Sequence, residues 1–311
     1  MTLTQLRYLL SVAEHGNFTV AAQKSFVTQP TLSMQIQKLE EELEVTIFNR
    51  NTKPIGLTAI GQTIVEQAKI ILQETQRMED AVAQEKGSVA GIFRLGIIPT
   101  VMPTLLPLFL TNFINKYPKV DIKIEESTTE NICDQIEKGE LDAGIAATPL
   151  LNDSLLEKPL YYEPFVAYLP KNHPLLAQTN IEIDDLAYNN MLVLEDGHCF
   201  RNHVLNLCQT NQNPKQFGLK SGSIETLINL ANQGLGMTLL PYLHTLELRE
   251  DQKNQLLQFP KPAPAREISL IHSKNQLKLP VIEALRNTIL GVVRGAIQFD
   301  NVQIITPKSP R

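Results

Sequence analysis

A change in the spacing of apolar residues divides the chain near Gly87. Upstream, residues 60–82 carry an apolar or small residue every three or four positions, which is the spacing of one helix face. No proline or glycine falls between Gly61 and Gly87, so we expect one linker helix over residues 59–87. Downstream, short apolar runs alternate with helical patterns, as in α/β sheets. The 311 residues therefore hold differently built units, and two or three domains are expected.

Three short helical patterns followed by a polar, basic turn occupy residues 1–58. Their apolar positions are Leu3, Leu6, Leu9, Leu10 and Ala13, then Ala21 and Ala22, then Leu32, Ile36, Leu39 and Leu43. Asn17 is a suitable cap for the second helix, and Pro30 suits the beginning of the third. The turn-rich segment 49–58 predicts a β hairpin. This is the layout of a winged helix-turn-helix, in which the last helix enters the major groove of DNA.

An ordered motif runs through the same residues. It consists of Ala21-Ala22, Ser25, the segment 28–33 (Thr-Gln-Pro-Thr-Leu-Ser), Ile36, the segment 39–43 (Leu-Glu-Glu-Glu-Leu), Phe48-Asn-Arg50 and the segment 57–61. The motif closely resembles the LysR-type transcriptional regulators. The resemblance implies double-stranded promoter DNA and RNA polymerase as partners. A binding protein or enzyme on an α/β fold is the alternative, but a DNA-reading module leaves little room for it, so we expect no enzymatic activity.

The candidate DNA-binding residues are polar and lie on the solvent face of the third helix or in the wing. They are Gln29, Thr31, Ser33, Gln35, Lys38, Arg50 and Lys53. Such side chains suit base edges and phosphates, and the two wing residues are assigned to phosphates. Acidic and basic residues are equal in number over residues 1–60. Charge alone therefore favours the alternative that this face of the helix is exposed to solvent and does not bind DNA. The acids cluster at the far end of the third helix, however, and the resemblance favours DNA contacts.

The apolar stripe of the linker helix has near coiled-coil spacing, and its members are Ile60, Ile64, Ala68, Ile71, Thr75, Met78 and Val82. We expect it to pair with a second copy, since a reader of two DNA half-sites needs a dimer. Packing on its own domain is the alternative. The resemblance also implies a homotetramer. Residues 87–91 have the composition of a hinge.

Residues 88–311 are interpreted as a regulatory domain. The predicted strands are 93–98, 120–124, 141–146, 165–169, a run around Leu192, 237–240 and 268–271, and the predicted helices include 104–117 and 131–138. The layout resembles the LysR effector domain, a fold like that of periplasmic binding proteins. The resemblance implies subdomain I (88–163 and 268–300), subdomain II (164–267) and a cleft between them. Residues beyond Asp300 are interpreted as a polar tail.

Two of the three cysteines enclose a predicted helix over residues 199–208. Cys199 stands at the helix entrance, where unpaired N–H groups and the helix dipole favour its thiolate. Cys208 falls on the apolar face with Phe200 and Val204, where a thiol is inert. Nine helical residues span about 13.5 Å, whereas a disulfide needs Cα atoms about 4.4–6.8 Å apart. A disulfide therefore requires the helix to unwind; the alternative is two small core residues.

The segment 194–199 (Leu-Glu-Asp-Gly-His-Cys), with Arg201 and Cys208, is similar to the peroxide-sensing branch of the LysR family. That resemblance implies that hydrogen peroxide oxidises Cys199 to a sulfenic acid, which Cys208 resolves to a disulfide. It also implies that Thr100, Thr129, His198 and Arg266 hold the peroxide. The alternative is a LysR regulator that responds to a small metabolite bound in the cleft, with incidental cysteines. Cys133, between Ile132 and Ile136, is expected to be structural.

No cofactor or metal is expected. The pair Gly234 and Gly236 lacks the third glycine of a dinucleotide fingerprint and is better explained as a helix-to-strand turn. His203 with Cys199 and Cys208 has no recognised zinc spacing. The net charge of −5 does not indicate a general electrostatic affinity of the whole chain for nucleic acid. Because no apolar run of membrane-spanning length occurs, we expect a cytoplasmic protein without a membrane partner. A disulfide there would be regulatory.

Overall fold

The computed structural model describes residues 1–150, 152–187, 190–208, 221–297 and 302–306; within these, the side chains at 83, 84, 187, 208 and 296 are left out. The chain divides into two compact units, Met1–Glu85 and Lys86–Arg311. Across the described residues, no helix combines the length and the apolar character needed to cross a membrane.

The first unit contains three helices, a two-stranded hairpin and one long helix. They are α1 (Leu3–His15), α2 (Phe18–Lys24), α3 (Gln29–Glu42), β1 (Phe48–Asn49), β2 (Gly56–Leu57) and α4 (Ala59–Glu85). Asn17 caps α2 and Thr28 caps α3 through their side chains. Gly16, in the left-handed region at φ +57°, ends α1. The predicted helices and the antiparallel wing are confirmed.

The core of this unit confirms most of the predicted apolar stripes. Leu6, Leu9, Leu32, Ile36 and Leu39 are buried in it, together with Ala21, Ala22 and Phe48 of the wing. The assignment of Leu43 to the stripe of the third helix was wrong. Leu43 is the C-cap residue of α3 and is 36% exposed. Because the chain turns there, its side chain no longer follows the helical face.

The predicted stripe of α4 is split between two environments. Ala68 is buried in the core of its own unit, next to Val65, and Ile64 packs against that core. Further along, Met78 is 72% exposed and Val82 is also exposed. The part of α4 near the wing therefore packs on its own unit, as the alternative reading had it. The distal part presents apolar side chains that nothing in its own unit covers.

The second unit alternates strands and helices. Its first half contains β3 (Gly91–Ile97), α5 (Met102–Lys116), β4 (Val120–Glu126), α6 (Thr129–Glu137), β5 (Ala143–Thr148) and β6 (Leu155–Tyr168). It continues with a 3-10 turn (Pro174–Ala177), α7 (Ile183–Ala187), α8 (Cys199–Cys208), α9 (Ile224–Asn232), β7 (Thr238–Pro241), α10 (Tyr242–Leu246), α11 (Glu250–Lys253), β8 (Leu256–Gln258), β9 (Ala263–Ser273), α12 (Leu279–Ala296) and β10 (Val302–Ile304).

One curled sheet joins the halves of this unit in the order β4-β3-β5-β9-β6-β7, with β8 on β6 and β10 on β9. We call the cluster around Phe93, Phe109 and Ile145 core I, and the cluster around Phe200 and Leu239 core II. The long antiparallel strands β6 and β9 contribute to both cores. The changeover falls between Tyr161 and Phe165 on β6, and between Ala263 and Ile268 on β9.

Two local predictions in the second unit were wrong. The run around Leu192 forms an isolated bridge between Met191 and Met237 instead of a strand. The Thr238 hydroxyl donates to the Leu192 carbonyl at 2.9 Å, so a side chain takes the place of the next ladder bond. The end of the chain is also more than a polar tail, because β10 pairs in parallel with the first residues of β9. The predicted turn at Gly234 and Gly236 is confirmed between α9 and β7.

Candidate functional site

Helix α3 carries the predicted DNA-reading side chains outside its buried stripe of Leu32, Ile36 and Leu39. Gln29, Thr31 and Lys38 are exposed, and Ser33 and Gln35 are half-buried. The Thr28 and Thr31 hydroxyls lie 2.8 Å apart at the beginning of the helix. The face is therefore polar and open over the first turns of α3, which is the part that recognition helices insert into the major groove. Which of these residues contacts DNA stays a prediction.

The two wing residues differ in their surroundings. Arg50 Nη2 donates to Glu40 Oε2 at 2.9 Å, and its guanidinium lies 5.2 Å from the centre of the Phe18 ring. The sequence placed Glu40 in an acidic cluster far from the basic residues. In the structure its carboxylate instead binds Arg50, which is one of the two predicted phosphate-binding residues. Lys53 is exposed. Arg50 reaches a phosphate only if it shares or leaves Glu40, whereas Lys53 meets no such competition in the described residues.

The segment with the two predicted redox cysteines is a continuous helix, α8, that begins at Cys199 and ends at Cys208. Phe200, Val204 and Leu207 are buried in core II. The Cys199 side chain is a half-buried free thiol that packs against core I. Cys199 thus lies where the two cores meet, on a helix that belongs to the second. The helical backbone separates the two cysteines by about 13.5 Å, and the Cys208 side chain lies outside the described residues.

Two side chains fasten the first turn of α8. His203 Nδ1 lies 2.8 Å from the Cys199 carbonyl oxygen; because a carbonyl only accepts, Nδ1 carries the ring proton. Arg201 donates to the Leu194 carbonyl at 2.9 Å and pairs with Asp196. Burial, and secondarily the charge of Arg266, lower the pKa of His203 to about 3. His203 is therefore neutral at physiological pH, and its Nε2 has no hydrogen-bond partner among the described residues.

Arg266 lies behind the same turn. It is fully buried on β9, and its guanidinium lies 5.1 Å from the centre of the Phe200 ring. Its Nη1 donates to Thr100 Oγ1 at 2.7 Å, so two predicted peroxide ligands are joined directly. The guanidinium also pairs with the buried Glu163. The structure therefore connects Thr100, in the loop after β3, through Arg266 to the residue next to Cys199.

The other two predicted peroxide ligands lie at element boundaries. Thr129 begins α6, and its hydroxyl oxygen is buried with no partner in the described part of the chain. His198 immediately precedes α8; its Nε2 is 4.0 Å from Glu195, and its ring lies against Gly222, where an added Cβ would come within 2.8 Å of Nε2. Both placements are compatible with the predicted site, and their contact with peroxide stays a prediction.

Glu163 and His203 are the residues that sequence reasoning missed at this site. Glu163 carried a usable signal: it is a single acid in the apolar run 160–169, and a charge buried in a strand requires a partner. Its partner Arg266 is more than a hundred positions away, so the pairing could not be inferred. His203 was considered only as an improbable zinc ligand. In the described residues, no cluster of histidine, cysteine and acidic side chains is arranged for a metal.

Cys133 is the contrasting thiol. It lies in α6, half-buried against core I. Burial, and then the charge of Glu137, raise the pKa of the Cys133 thiol from 9.0 to about 11. The thiol is therefore protonated at neutral pH and a poor nucleophile. This agrees with the structural role expected for it.

Comparison with known proteins decides the family. The family model for the "LysR substrate binding domain" matches residues 86–294. The family model for the "Bacterial regulatory helix-turn-helix protein, lysR family" matches residues 3–62. The chain belongs to the LysR family. It is therefore a DNA-binding transcription regulator, and membership implies that it oligomerises.

Relatives within the family are similar over almost the whole chain. The "DNA-binding transcriptional dual regulator OxyR" of Escherichia coli is 34% identical over 97% of this chain and 98% of its own length. A "Hydrogen peroxide-inducible genes activator" of Pectobacterium carotovorum is 33% identical over 96% and 99%. The solved structure of a full-length OxyR variant from Pseudomonas aeruginosa, 32% identical, matches with a TM-score of 0.71 over 93% of this chain and 98% of that one.

Proposed function

We propose that this LysR regulator senses hydrogen peroxide by oxidation of Cys199 and reversible formation of a Cys199–Cys208 disulfide, and thereby controls oxidative-stress genes. The observation that carries the proposal is the position of Cys199. It is the first residue of α8, its thiol packs against core I, and the next side chain lies against Arg266. The names of the OxyR relatives support the same function.

The chemistry requires two displacements at sulfur. The Cys199 thiolate attacks one oxygen of hydrogen peroxide; an S–O bond forms, the O–O bond breaks, and the leaving hydroxide takes a proton from solvent to become water. The thiolate of Cys208 then attacks the sulfenic sulfur; an S–S bond forms, the S–O bond breaks, and the leaving hydroxide takes a proton from solvent to become a second water. Thr100, Thr129, His198 and Arg266 supply donors for the peroxide in this proposal. A cellular dithiol returns the disulfide to the reduced form.

The disulfide becomes a signal because α8 cannot contain it. The helix keeps the cysteines about 13.5 Å apart, so bond formation requires α8 to unwind. Unwinding removes Phe200 from Arg266 and the His203 ring from the Cys199 carbonyl. Disulfide formation thus changes the contacts that α8 makes with β9, one of the two strands that join both cores. In this proposal α8 is an element with two states, helical and unwound, of the kind that redox sensors use.

The remaining assignments concern partners. We assign double-stranded promoter DNA to the polar face of α3 and the wing. The exposed distal part of α4, with Met78 and Val82, is assigned to a homodimer that assembles further into a homotetramer. RNA polymerase is the further partner of an activator of this family. The protein acts where the chromosome lies, in the cytoplasm, and has no enzymatic activity.

Disulfide mapping tests the proposal. The reduced full-length protein is treated with hydrogen peroxide, alkylated, digested and analysed by mass spectrometry. We expect a peptide pair joined through Cys199 and Cys208. A Cys208→Ser variant should instead accumulate sulfenic acid at Cys199, detected with a dimedone-type probe. Unchanged thiols in the wild-type protein, together with DNA binding that responds to a small metabolite, would contradict the proposal.

A further inference from the structure

Glu163 is a buried acid at the point where β6 passes from core I to core II. It is 1% exposed, and its register partner on the neighbouring strand β9 is Arg266, which is 0% exposed. Removing an acid and a base from water is costly, and a pair of this kind commonly adds little to stability compared with apolar residues. The arrangement of its hydrogen bonds shows another use for the pair.

The Glu163 carboxylate holds the guanidinium of Arg266 in one orientation. Oε2 accepts from Arg266 Nε at 2.9 Å and from Nη2 at 2.7 Å. Its other oxygen, Oε1, accepts from the backbone N–H of Leu243 at 3.0 Å, in the first turn of α10. The acid is thus fixed from two sides, by a strand and by a helix start. A planar guanidinium gripped along one edge cannot turn away.

The adjoining edge of the guanidinium, formed by Nη1 and Nη2, is directed at Thr100. Nη1 donates to Thr100 Oγ1 at 2.7 Å and Nη2 donates to the Thr100 carbonyl at 3.1 Å. A hydroxyl has one hydrogen to donate and two lone pairs to accept with. Because Arg266 occupies an acceptor position of Thr100, the hydroxyl hydrogen remains available for donation to another molecule.

We infer that Glu163 is a positioning residue for the peroxide reaction: through Arg266 it fixes the Thr100 hydroxyl as a hydrogen-bond donor to the peroxide that Cys199 attacks. The inference rests on the proposed function and adds a residue to it. Donation by Thr100 stabilises the oxygen that departs as hydroxide when the O–O bond breaks. Glu163 acts through Arg266 and Thr100, so we expect its effect on the reaction that uses the Thr100 donor, oxidation by peroxide, and not on reactions of the thiol that need no such donor.

A second buried ion pair provides a matched control. Lys278 Nζ lies 3.0 Å from Asp142 Oδ1, and both side chains are largely buried. Asp142 also accepts from the backbone N–H of Arg94 at 2.7 Å. Asp142→Asn therefore removes a buried carboxylate that has two partners, Lys278 and the Arg94 N–H, from the same unit and leaves Arg266 unchanged. A purely structural role of Glu163 would give the same result as this variant.

The experiment compares two reactions of Cys199 in full-length Glu163→Gln, Asp142→Asn and wild-type protein. One is the second-order rate of oxidation by hydrogen peroxide, and the other is the rate of alkylation by iodoacetamide, followed between pH 5 and 9. We expect Glu163→Gln to slow oxidation by about 10- to 100-fold, the range that misplaced catalytic contacts cost. Its alkylation rate should stay within about twofold of wild type, because iodoacetamide needs no donor from Thr100. Asp142→Asn should react like wild type in both.

Variants of Thr100 give a second route that does not depend on the folding of Glu163→Gln. Thr100→Val should lose the same factor in peroxide oxidation, and Thr100→Ser, which keeps the hydroxyl, should retain most of it. The double variant Glu163→Gln/Thr100→Val should be no slower than Thr100→Val alone, because both changes remove one donor.

Equal slowing of both reactions in Glu163→Gln, or a wild-type oxidation rate in Glu163→Gln or Thr100→Val, would overturn the inference while the sensor function stands. A wild-type protein whose Cys199 is not oxidised by peroxide would instead overturn the proposed function itself.

Discussion

Cys133 and Cys199 are both half-buried thiols against core I, yet their surroundings differ. Cys133 lies within α6, and burial followed by the charges of Glu137, Glu157 and Glu130 raises its pKa to about 11. Cys199 begins α8, ahead of a residue that lies against Arg266. The comparison teaches that burial does not decide which thiol reacts. The two thiols differ in the acids that surround Cys133 and in the position of Cys199 at a helix start.

The largest expected effect is the loss of signalling in Cys199→Ser. This variant should bind DNA as the reduced protein does but fail to activate transcription when peroxide is added, because no sulfenic acid can form at the entrance of α8. A promoter–reporter assay with a parallel gel-shift measurement checks both halves of the statement. Induction of the reporter in this variant would show that another residue senses the oxidant, and Cys133 would be the first to examine.

His203 should make the turn that carries Cys199 sensitive to acid. In the unfolded chain its imidazole binds a proton near the ordinary pKa of 6.5, whereas the folded protein excludes that proton down to about pH 3. Stability is therefore lost as the pH falls below 6.5. At pH 5 the expected loss is about 2 kcal/mol, with each unit worth about 1.36 kcal/mol.

Urea denaturation of wild type and His203→Gln at pH 7 and pH 5 measures this term. The variant should lose less stability on acidification than wild type by about the same 2 kcal/mol. His272→Gln is a comparison variant: burial also lowers the pKa of that histidine on β9, so this variant too should lose less stability on acidification than wild type. Equal acid sensitivity in wild type and His203→Gln would show that the protonation of His203 is not what destabilises the fold.

A smaller effect is expected where α8 meets the end of the chain. Asn206 Nδ2 donates to the Thr306 carbonyl at 3.0 Å, and Ile305 packs against core II. Asn206→Ala should destabilise the reduced form by about 0.5–1.5 kcal/mol, the net value of one hydrogen bond. In the proposed oxidised form this helix is unwound and the hydrogen bond is absent, so the disulfide should become harder to reduce. Equilibration with glutathione buffers measures the shift, and an unchanged potential would exclude a role for the Asn206–Thr306 hydrogen bond in holding α8.

The smallest expected effect is that of Cys133→Ser. The thiol is protonated and half-buried, so its replacement should leave the peroxide response and the Cys199–Cys208 peptide unchanged. The same reporter and the same mass-spectrometric mapping test this. Loss of response in Cys133→Ser would mean that the contrast between the two thiols is incomplete and that Cys133 takes part in resolving the sulfenic acid.

Local patterns in the sequence were sufficient for most of the predicted elements and for the family. Capping residues such as Asn17 and Thr28, the apolar spacing of α3 and the position of Cys199 at a helix start depend on neighbours within a few positions. The error at Leu43 arose from a local turn at the end of α3, whereas two others arose where a distant residue intervened. The Thr238 hydroxyl donates to the Leu192 carbonyl, which a strand at Leu192 would have paired with a backbone N–H. Strand β10 pairs with the first residues of β9, beyond the part of β9 that pairs with β5.

The site shows the same division between local and long-range information. Periodicity and motif spacing determined that α8 would keep two unequal thiols too far apart to bond. Only the tertiary structure decided what stands behind the first of them: Glu163, Arg266 and Thr100 come from separate strands and a loop, and they meet because β6 and β9 run side by side. Hydrogen bonds and charge pairs act over a few ångströms of space whatever their separation along the chain, so no local pattern records them.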